Sequence, residues 1–118
     1  MTTLSGKSAF PETNPLSLGA GGPSTTAQAN KYLKESDLVF GVGCSFTKTN
    51  FAQAIPAGKT MVHLTNDEDA ISREFKTEFA MLGDAKLVLR QMLDELKSQV
   101  GSARAKNQVL QDDIKSMK

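Results

Sequence analysis

Three short apolar runs stand out from an otherwise polar chain: Leu38-Val39-Phe40-Gly41-Val42, Thr60-Met61-Val62-His63-Leu64 and Phe79-Ala80-Met81-Leu82. They are continuous rather than alternating, which is the pattern of strands covered on both faces in a parallel sheet. Three buried strands are therefore expected. Between the first two lies a loop with Phe51, Ala52 and Ile55, with room for one helical turn, and with Pro56 and Gly58. Between the second and third, the polar stretch from Asp67 to Arg73 opens with acids that suit a helix N-terminus. From Asp84 as N-cap, Ala85, Leu89, Met92, Leu93, Leu96 and Val100 recur at spacings of three and four. That spacing predicts an amphipathic helix whose stripe faces the core, with Gly101 ending it. Strands separated by crossovers give an α/β fold, a Rossmann-like parallel sheet with flanking helices.

The ends of the chain read differently. Pro11, Pro15 and Pro23 with Gly6, Gly19, Gly21 and Gly22 make the opening a chain of turns. Thr2-Thr3-Leu4 has the form of the tail of a strand with nothing upstream, so the opening is expected to be cut. Thr25-Thr26-Ala27-Gln28 has the form of a capping box with Thr25 as its acceptor. It predicts a helix with Ala29, Tyr32 and Leu33 on one face, ending at Ser36-Asp37. Beyond Gly101, Leu110, Ile114 and Met117 at helical spacing predict a linker and a second, weaker helix. A partial α/β domain over 1–100 and a helical linker or tail over 101–118 follow.

Composition narrows the chemistry. The 118 residues suit one domain; 39% are hydrophobic and 23% charged, and 14 basic residues against 13 acidic ones leave a net charge of +1. Neither nucleic acid nor an anionic membrane is favoured as a partner. There is no apolar run of the roughly 18 residues that span a bilayer, and no secretory leader pattern at the N-terminus. One cysteine and one histidine supply neither an internal disulfide nor a zinc site of the usual ligands. A lone thiol suits a reducing compartment, so a cytoplasmic location is expected.

In such a sheet, ligands sit beyond the carboxyl ends of the strands, which directs attention to Ser5 and Gly6, Gly43 to Phe46, Thr65 to Asp67, and Gly83 to Ala85. Gly41-Val42-Gly43 lacks the full G-x-G-x-x-G because position 46 is Phe, so close packing is favoured over phosphate binding. Gly19-Ala20-Gly21-Gly22 before a helix start fits an anion cradle or a plain turn equally. A nucleophilic Cys44 would need a base, and His63 lies within an apolar run; two packed structural side chains are the expected reading. Asp67, Glu68 and Asp69 suit a solvated helix start, with a ribose or cation contact as the alternative. No acid–base pair, activated nucleophile or metal cluster is recognisable, and catalysis by this chain alone is not expected.

Several runs carry a resemblance. Thr2-Thr3-Leu4-Ser5-Gly6-Lys7-Ser8-Ala9-Phe10-Pro11-Glu12 and Asn14-Pro15-Leu16-Ser17-Leu18-Gly19 resemble the "TTL-GKGAFPE-HPL-LG" run in the central domain of thiamine-diphosphate enzymes of the acetolactate synthase, or 2-keto acid decarboxylase, type. The likeness continues through Ala29-Asn30, Ser36 to Gly43, His63 and Gly83 to Leu89, and covers about residues 2 to 97. It implies a three-domain parent whose outer domains bind thiamine diphosphate and magnesium between subunits. The central domain is then a Rossmann-like module that carries FAD in some members, another nucleotide in others and nothing in the rest.

Carried over by that resemblance, cofactor-binding positions fall on Thr3, Leu4, Leu18, Gly19, Gly43, Asp67, Gly83 and Asp84. The pattern departs where the family's "GARFDD" becomes Gly43-Cys44-Ser45-Phe46-Thr47-Lys48 and its "HIDID" becomes His63-Leu64-Thr65-Asn66-Asp67. Each charged partner lost removes a hydrogen bond worth about 1.5–3 kcal/mol, which weighs against FAD. The reading is a non-catalytic central-domain fragment with a structural and subunit-contact role. The alternative is a module binding FAD, ADP or NAD. A parallel sheet lacking its first unit leaves an edge or face uncovered, so the isolated chain is expected to form a homo-oligomer or swap segments, or to meet the parent's other domains.

Overall fold

The computed structural model describes residues 1–22, 24–50 and 54–118; Pro23, and Phe51 and Ala52 of the loop where a helical turn is expected, lie outside them, while Ile55 of that loop is in no helix. The elements are α1 (Ala27–Glu35), β1 (Leu38–Val42), β2 (Thr60–Thr65), a 3-10 turn (Glu68–Ala70), β3 (Phe79–Leu82), α2 (Ala85–Val100) and α3 (Gln108–Ser116). They fall into two compact units. One comprises Met1–Asp37, Thr47–Lys59 and Asn107–Lys118, the other Leu38–Phe46 and Thr60–Lys106.

The second unit holds the sheet, whose strands run in the order β1-β2-β3, all parallel. Leu38 pairs with Thr60 and Val42 with Leu64; Val62 pairs with Phe79 and Thr65 with Leu82. The ladder runs one step further at the start of β3, where the Glu78 amide donates to the Met61 carbonyl and the Glu78 carboxylate accepts the Met61 N–H at 2.7 Å. The expectation of three strands buried on both faces is corrected. Most of β2 is buried, through Met61, His63, Leu64 and Thr65, whereas β1 buries Gly41 alone and β3 buries no residue. β1 and β3 are the outer strands, and Leu38, Phe40, Val42, Phe79 and Leu82 are exposed. Continuous apolar runs report burial of the central strand and the potential of its neighbours to be covered, not the covering itself.

Helix α2 starts and stops where its capping residues require. The Asp84 carboxylate accepts the Leu87 N–H at 3.0 Å, and Gly101 ends the helix in the left-handed region at φ +70°. Its apolar stripe is nevertheless not core. No residue of α2 is buried, and Leu89, Met92, Leu93, Leu96 and Val100 are all exposed. Periodicity sets which side of a helix is apolar, and only a neighbouring element can bury it. The stretch after β2 is likewise shorter than its acids suggested, a single 3-10 turn with Asp67 as its cap.

In the first unit, α1 begins one residue later than the capping-box pattern indicates. Thr26, not Thr25, is the N-cap, its hydroxyl accepting the Ala29 N–H. The Thr26 hydroxyl donates to the Leu18 carbonyl at 2.6 Å, while Thr25 is held by Gly22. Ala29 and Leu33 are buried on the expected face, and Ser36 closes the helix. The Lys59 ammonium reaches the Lys34 and Ser36 carbonyls at that end, where a cation complements the helix dipole. The N-terminal segment contributes an isolated parallel bridge between Thr2 and Ala20. The expected C-terminal helix forms as α3, with Ile114 buried. Among the described residues, no helix is long and apolar enough to cross a membrane.

Candidate functional site

At the carboxyl ends of β1 and β2 lies a cavity of about 160 Å3 lined by Gly43, Cys44, Ser45, Thr65, Asn66, Asp67 and Ala70. The parallel register places it: the Gly43 N–H donates to the Leu64 carbonyl at 2.9 Å, and the chain then turns away at Gly43 with φ +62°. A Cβ at Gly43 would meet nothing within 4 Å. Opposite, the Thr65 hydroxyl accepts the Asp67 N–H at 3.1 Å, and the Asp67 carboxylate accepts the Asp69 N–H at 3.1 Å. Arg73 reaches the other Asp67 oxygen at 3.9 Å across exposed surface, a contact of little energetic weight.

The two glycines of Gly41-Val42-Gly43 have separate duties. A Cβ on Gly41 would lie 2.2 Å from Phe46 Cζ and 2.7 Å from Cys44 Sγ, so this glycine admits side chains of the chain itself. Phe46, at φ +49°, packs edge-to-face on His63 with ring centroids 4.8 Å apart. Its ring also meets Phe75 at 6.2 Å. Close packing at Gly41 is as the sequence reading favoured, and Gly43 is the position left open toward the cavity.

Cys44 and His63 do meet, but not as nucleophile and base. His63 is fully buried, and its Nε2 lies 2.6 Å from the Cys44 carbonyl oxygen. A carbonyl only accepts, so Nε2 carries the proton. Nδ1 has no hydrogen-bond partner among the described residues. Burial pushes the Cys44 thiol above its ordinary pKa, against the smaller opposing effect of backbone hydrogen bonds. A thiol so placed is held protonated, the opposite of an activated nucleophile.

The remaining sequence-derived positions divide between the units. Gly83 and Asp84 follow β3 outside the cavity lining. The Gly83 N–H donates to the Thr65 carbonyl, its α-carbon faces Val88, and Asp84 is engaged as the cap of α2. Thr3, Leu4, Leu18 and Gly19 belong to the other unit. There Leu4 packs over Gly22, and Gly19 turns at φ +78° beneath the Thr26 methyl. The N–H groups of Gly19, Gly21 and Gly22 donate to the Ser17 hydroxyl, the Thr2 carbonyl and the Thr25 hydroxyl. A turn is thus what that glycine run builds, with these donors already engaged. Ala70, supplied by the 3-10 turn, is the lining residue that strand-end reasoning did not reach.

Residues 1–92 match the family described as thiamine pyrophosphate enzyme, central domain. The chain belongs to that family. It is 33% identical over 97 residues to a probable acetolactate synthase large subunit of Methanococcus aeolicus, covering 80% of this chain and 16% of that protein. A probable acetolactate synthase large subunit of Methanocaldococcus jannaschii is 35% identical over 97 residues, again 80% of this chain and 16% of the relative. The acetolactate synthase isozyme 3 large subunit of Escherichia coli is 35% identical over 100 residues, 82% of this chain and 17% of the relative. The chain therefore spans about a sixth of the length of these curated relatives. Three parallel strands with flanking helices are consistent with the family's Rossmann-like central domain, and the family is one of thiamine-diphosphate enzymes.

The sequence resemblance raises flavin as a ligand, and the strand-end cavity is a direct test of fit. Pockets that enclose drug-sized ligands run to about 300–1,000 Å3, well above the 160 Å3 found here. One Asp67 oxygen is already engaged by Asp69. By itself the cavity does not fit a flavin dinucleotide.

Proposed function

We propose that this central-domain chain has a non-catalytic, structural and subunit-contact role in an acetolactate synthase-like enzyme. The observation that carries the reading is the Cys44–His63 pair, in which the imidazole is committed to a carbonyl and the thiol is held protonated by burial. Those are the chain's only cysteine and histidine. The chemistry, decarboxylation of a 2-keto acid and transfer of its two-carbon unit to an acceptor, then belongs to parts of a longer parent beyond the central domain. Thiamine diphosphate and Mg2+ belong there too. The names and the greater length of the relatives support this. The partners in this reading are those other domains or further copies of the chain, in the cytoplasm, and the net charge of +1 gives no reason to add nucleic acid or a membrane. We place the domain at 1–100 and its linker and tail at 101–118, a boundary supported by the left-handed turn at Gly101.

A nucleotide-binding role is the second reading, favoured by the open position at Gly43 beside Asp67. In it, Gly43 and Asp67 contact the ligand, with Thr3, Leu4, Leu18, Gly19, Gly83 and Asp84 as the further family positions. One experiment separates the two. Thermal unfolding is followed with FAD, ADP and NAD, and pyruvate consumption is assayed with thiamine diphosphate and Mg2+. The scaffold reading expects no stabilisation and no consumption. A ligand at a hundred times its Kd adds about 2.7 kcal/mol, and a shift of that size with any of the three establishes the second reading. Turnover of pyruvate by the chain alone defeats the first.

A further inference from the structure

We propose that α3 is exchanged between two copies of this chain, the α1 of each receiving the α3 of the other. Helix α3 has nine residues, fewer than the roughly 12–15 at which an isolated helix becomes even marginally stable in water. It is therefore helical because it is docked. The dock is specific: Lys31 Nζ donates to both Asp113 oxygens at 2.8 and 3.0 Å, and the Tyr32 hydroxyl donates to Asp113 Oδ2 at 2.5 Å. Beside them, Ile114 is 2% exposed. The Lys31 and Tyr32 groups that hold Asp113 cannot distinguish the α3 of their own chain from that of a second copy, because those contacts are the same.

The connection permits the exchange. Seven residues, 101–107, join α2 to α3. They are exposed throughout, carry no large apolar side chain and have no helix or strand of their own. Extended, seven residues reach about 25 Å, so the segment is a hinge that can close on its own chain or cross to another. What favours crossing is the stripe that leads into the hinge. Leu89, Met92, Leu93, Leu96 and Val100 are between 37% and 56% exposed along one face of α2. Exchange tethers two such stripes together by their C-terminal ends, and a second copy supplies apolar cover for these exposed side chains. Short flexible tethers give local concentrations in the millimolar range; closure on the same chain therefore competes in dilute solution, and the exchanged pair grows with concentration.

The wild-type chain tests this without substitution. Chain at natural isotope abundance and 15N-labelled chain are mixed, unfolded, refolded together and treated with a water-soluble carbodiimide. The reagent joins the Lys31 ammonium to the Asp113 carboxylate with no spacer, and mass spectrometry reads the linked peptides. Exchange gives mixed-label pairs that rise with concentration toward half of the total. Like-labelled pairs alone at every concentration, or no Lys31–Asp113 link at all, overturn the proposal. A second arm uses K31E and D113K. Each variant alone sets like charges against each other at the dock, whereas in a 1:1 mixture both docks of an exchanged heterodimer regain opposite charges. The mixture is expected to contain a species of twice the chain mass that neither variant forms alone. A mixture that stays monomeric overturns the exchange.

Discussion

Gly41 and Gly43 lie two residues apart and fail differently when replaced. At Gly41 the added carbon of Gly41→Ala runs into the Phe46 ring and the Cys44 sulfur at 2.2–2.7 Å. Overpacking of this kind costs about 1–3 kcal/mol, which for a chain of this size lowers Tm by several degrees. At Gly43 space is free and the backbone alone objects, at φ +62°. Asn tolerates the left-handed region better than most residues, so Gly43→Asn is expected to cost less than Gly41→Ala in urea unfolding. A comparable cost is expected at Glu78. Its carboxylate satisfies the N–H of Met61, a residue only 4% exposed. Glu78→Ala removes that partner, and leaving such a group unpaired costs about 1–3 kcal/mol. Equal stability of the variant and the parent chain would exclude this role for Glu78.

At the scale of elements, α3 depends on pH through its dock. The hydrogen bond from Lys31, and then that from Tyr32, holds Asp113 below its ordinary pKa of 3.8. A carboxylate with a depressed folded value stabilises the docked state above the ordinary value and loses that contribution as pH falls through the folded one. The same contacts raise Lys31 and Tyr32, chiefly by the hydrogen bond each makes to Asp113. Their contribution is complete below their ordinary values of 10.5 and 10.0, and is lost as pH rises through the raised ones. Helicity of α3 is therefore expected to hold across neutral pH and to fall at both extremes. Circular dichroism of the parent chain against D113N reads this: the variant should lack the acid limb assigned to Asp113. In α2 the prediction concerns cover rather than charge. Leu93→Glu puts a carboxylate into the exposed stripe without touching the strand-end cavity or the dock. The fraction of exchanged pairs at a fixed concentration should drop several-fold; an unchanged fraction would show that the stripe has no part in pairing.

For the whole molecule, the weak point is the hinge. Arg104 and Lys106 lie in the exposed 101–107 segment, and exposed irregular backbone is where proteases cut first. Brief trypsin treatment is expected to cleave there before it cuts within α1 or α2. The released α3 peptide should remain bound at low salt, because its dock is non-covalent and includes the charged Lys31–Asp113 contact. Early cleavage within α2 instead would mean that α2 frays before the linker is reached.

The order and sense of the elements were written in the chain. Capping and stop residues act over three or four positions, so Asp84 and Gly101 delimit α2, and Ser36 ends α1, wherever those segments lie in space. Continuous apolar runs likewise gave three parallel strands, whose tips bring Gly43 and Asp67 to one cavity. Local competition moved one boundary: Thr25 and Thr26 are both competent caps, and the contacts of Thr26 with Leu18 and of Thr25 with Gly22 decided between them. Tertiary structure alone decided what is covered. The sequence marks His63 by its apolar run and Leu93 by its helical stripe as members of the core, yet His63 is fully buried while Leu93 is half exposed. Periodicity is a property of one element, whereas burial needs a second element at contact distance. For the same reason no sequence pattern announced that Lys31 and Tyr32 would share the carboxylate of Asp113, more than eighty residues further along the chain.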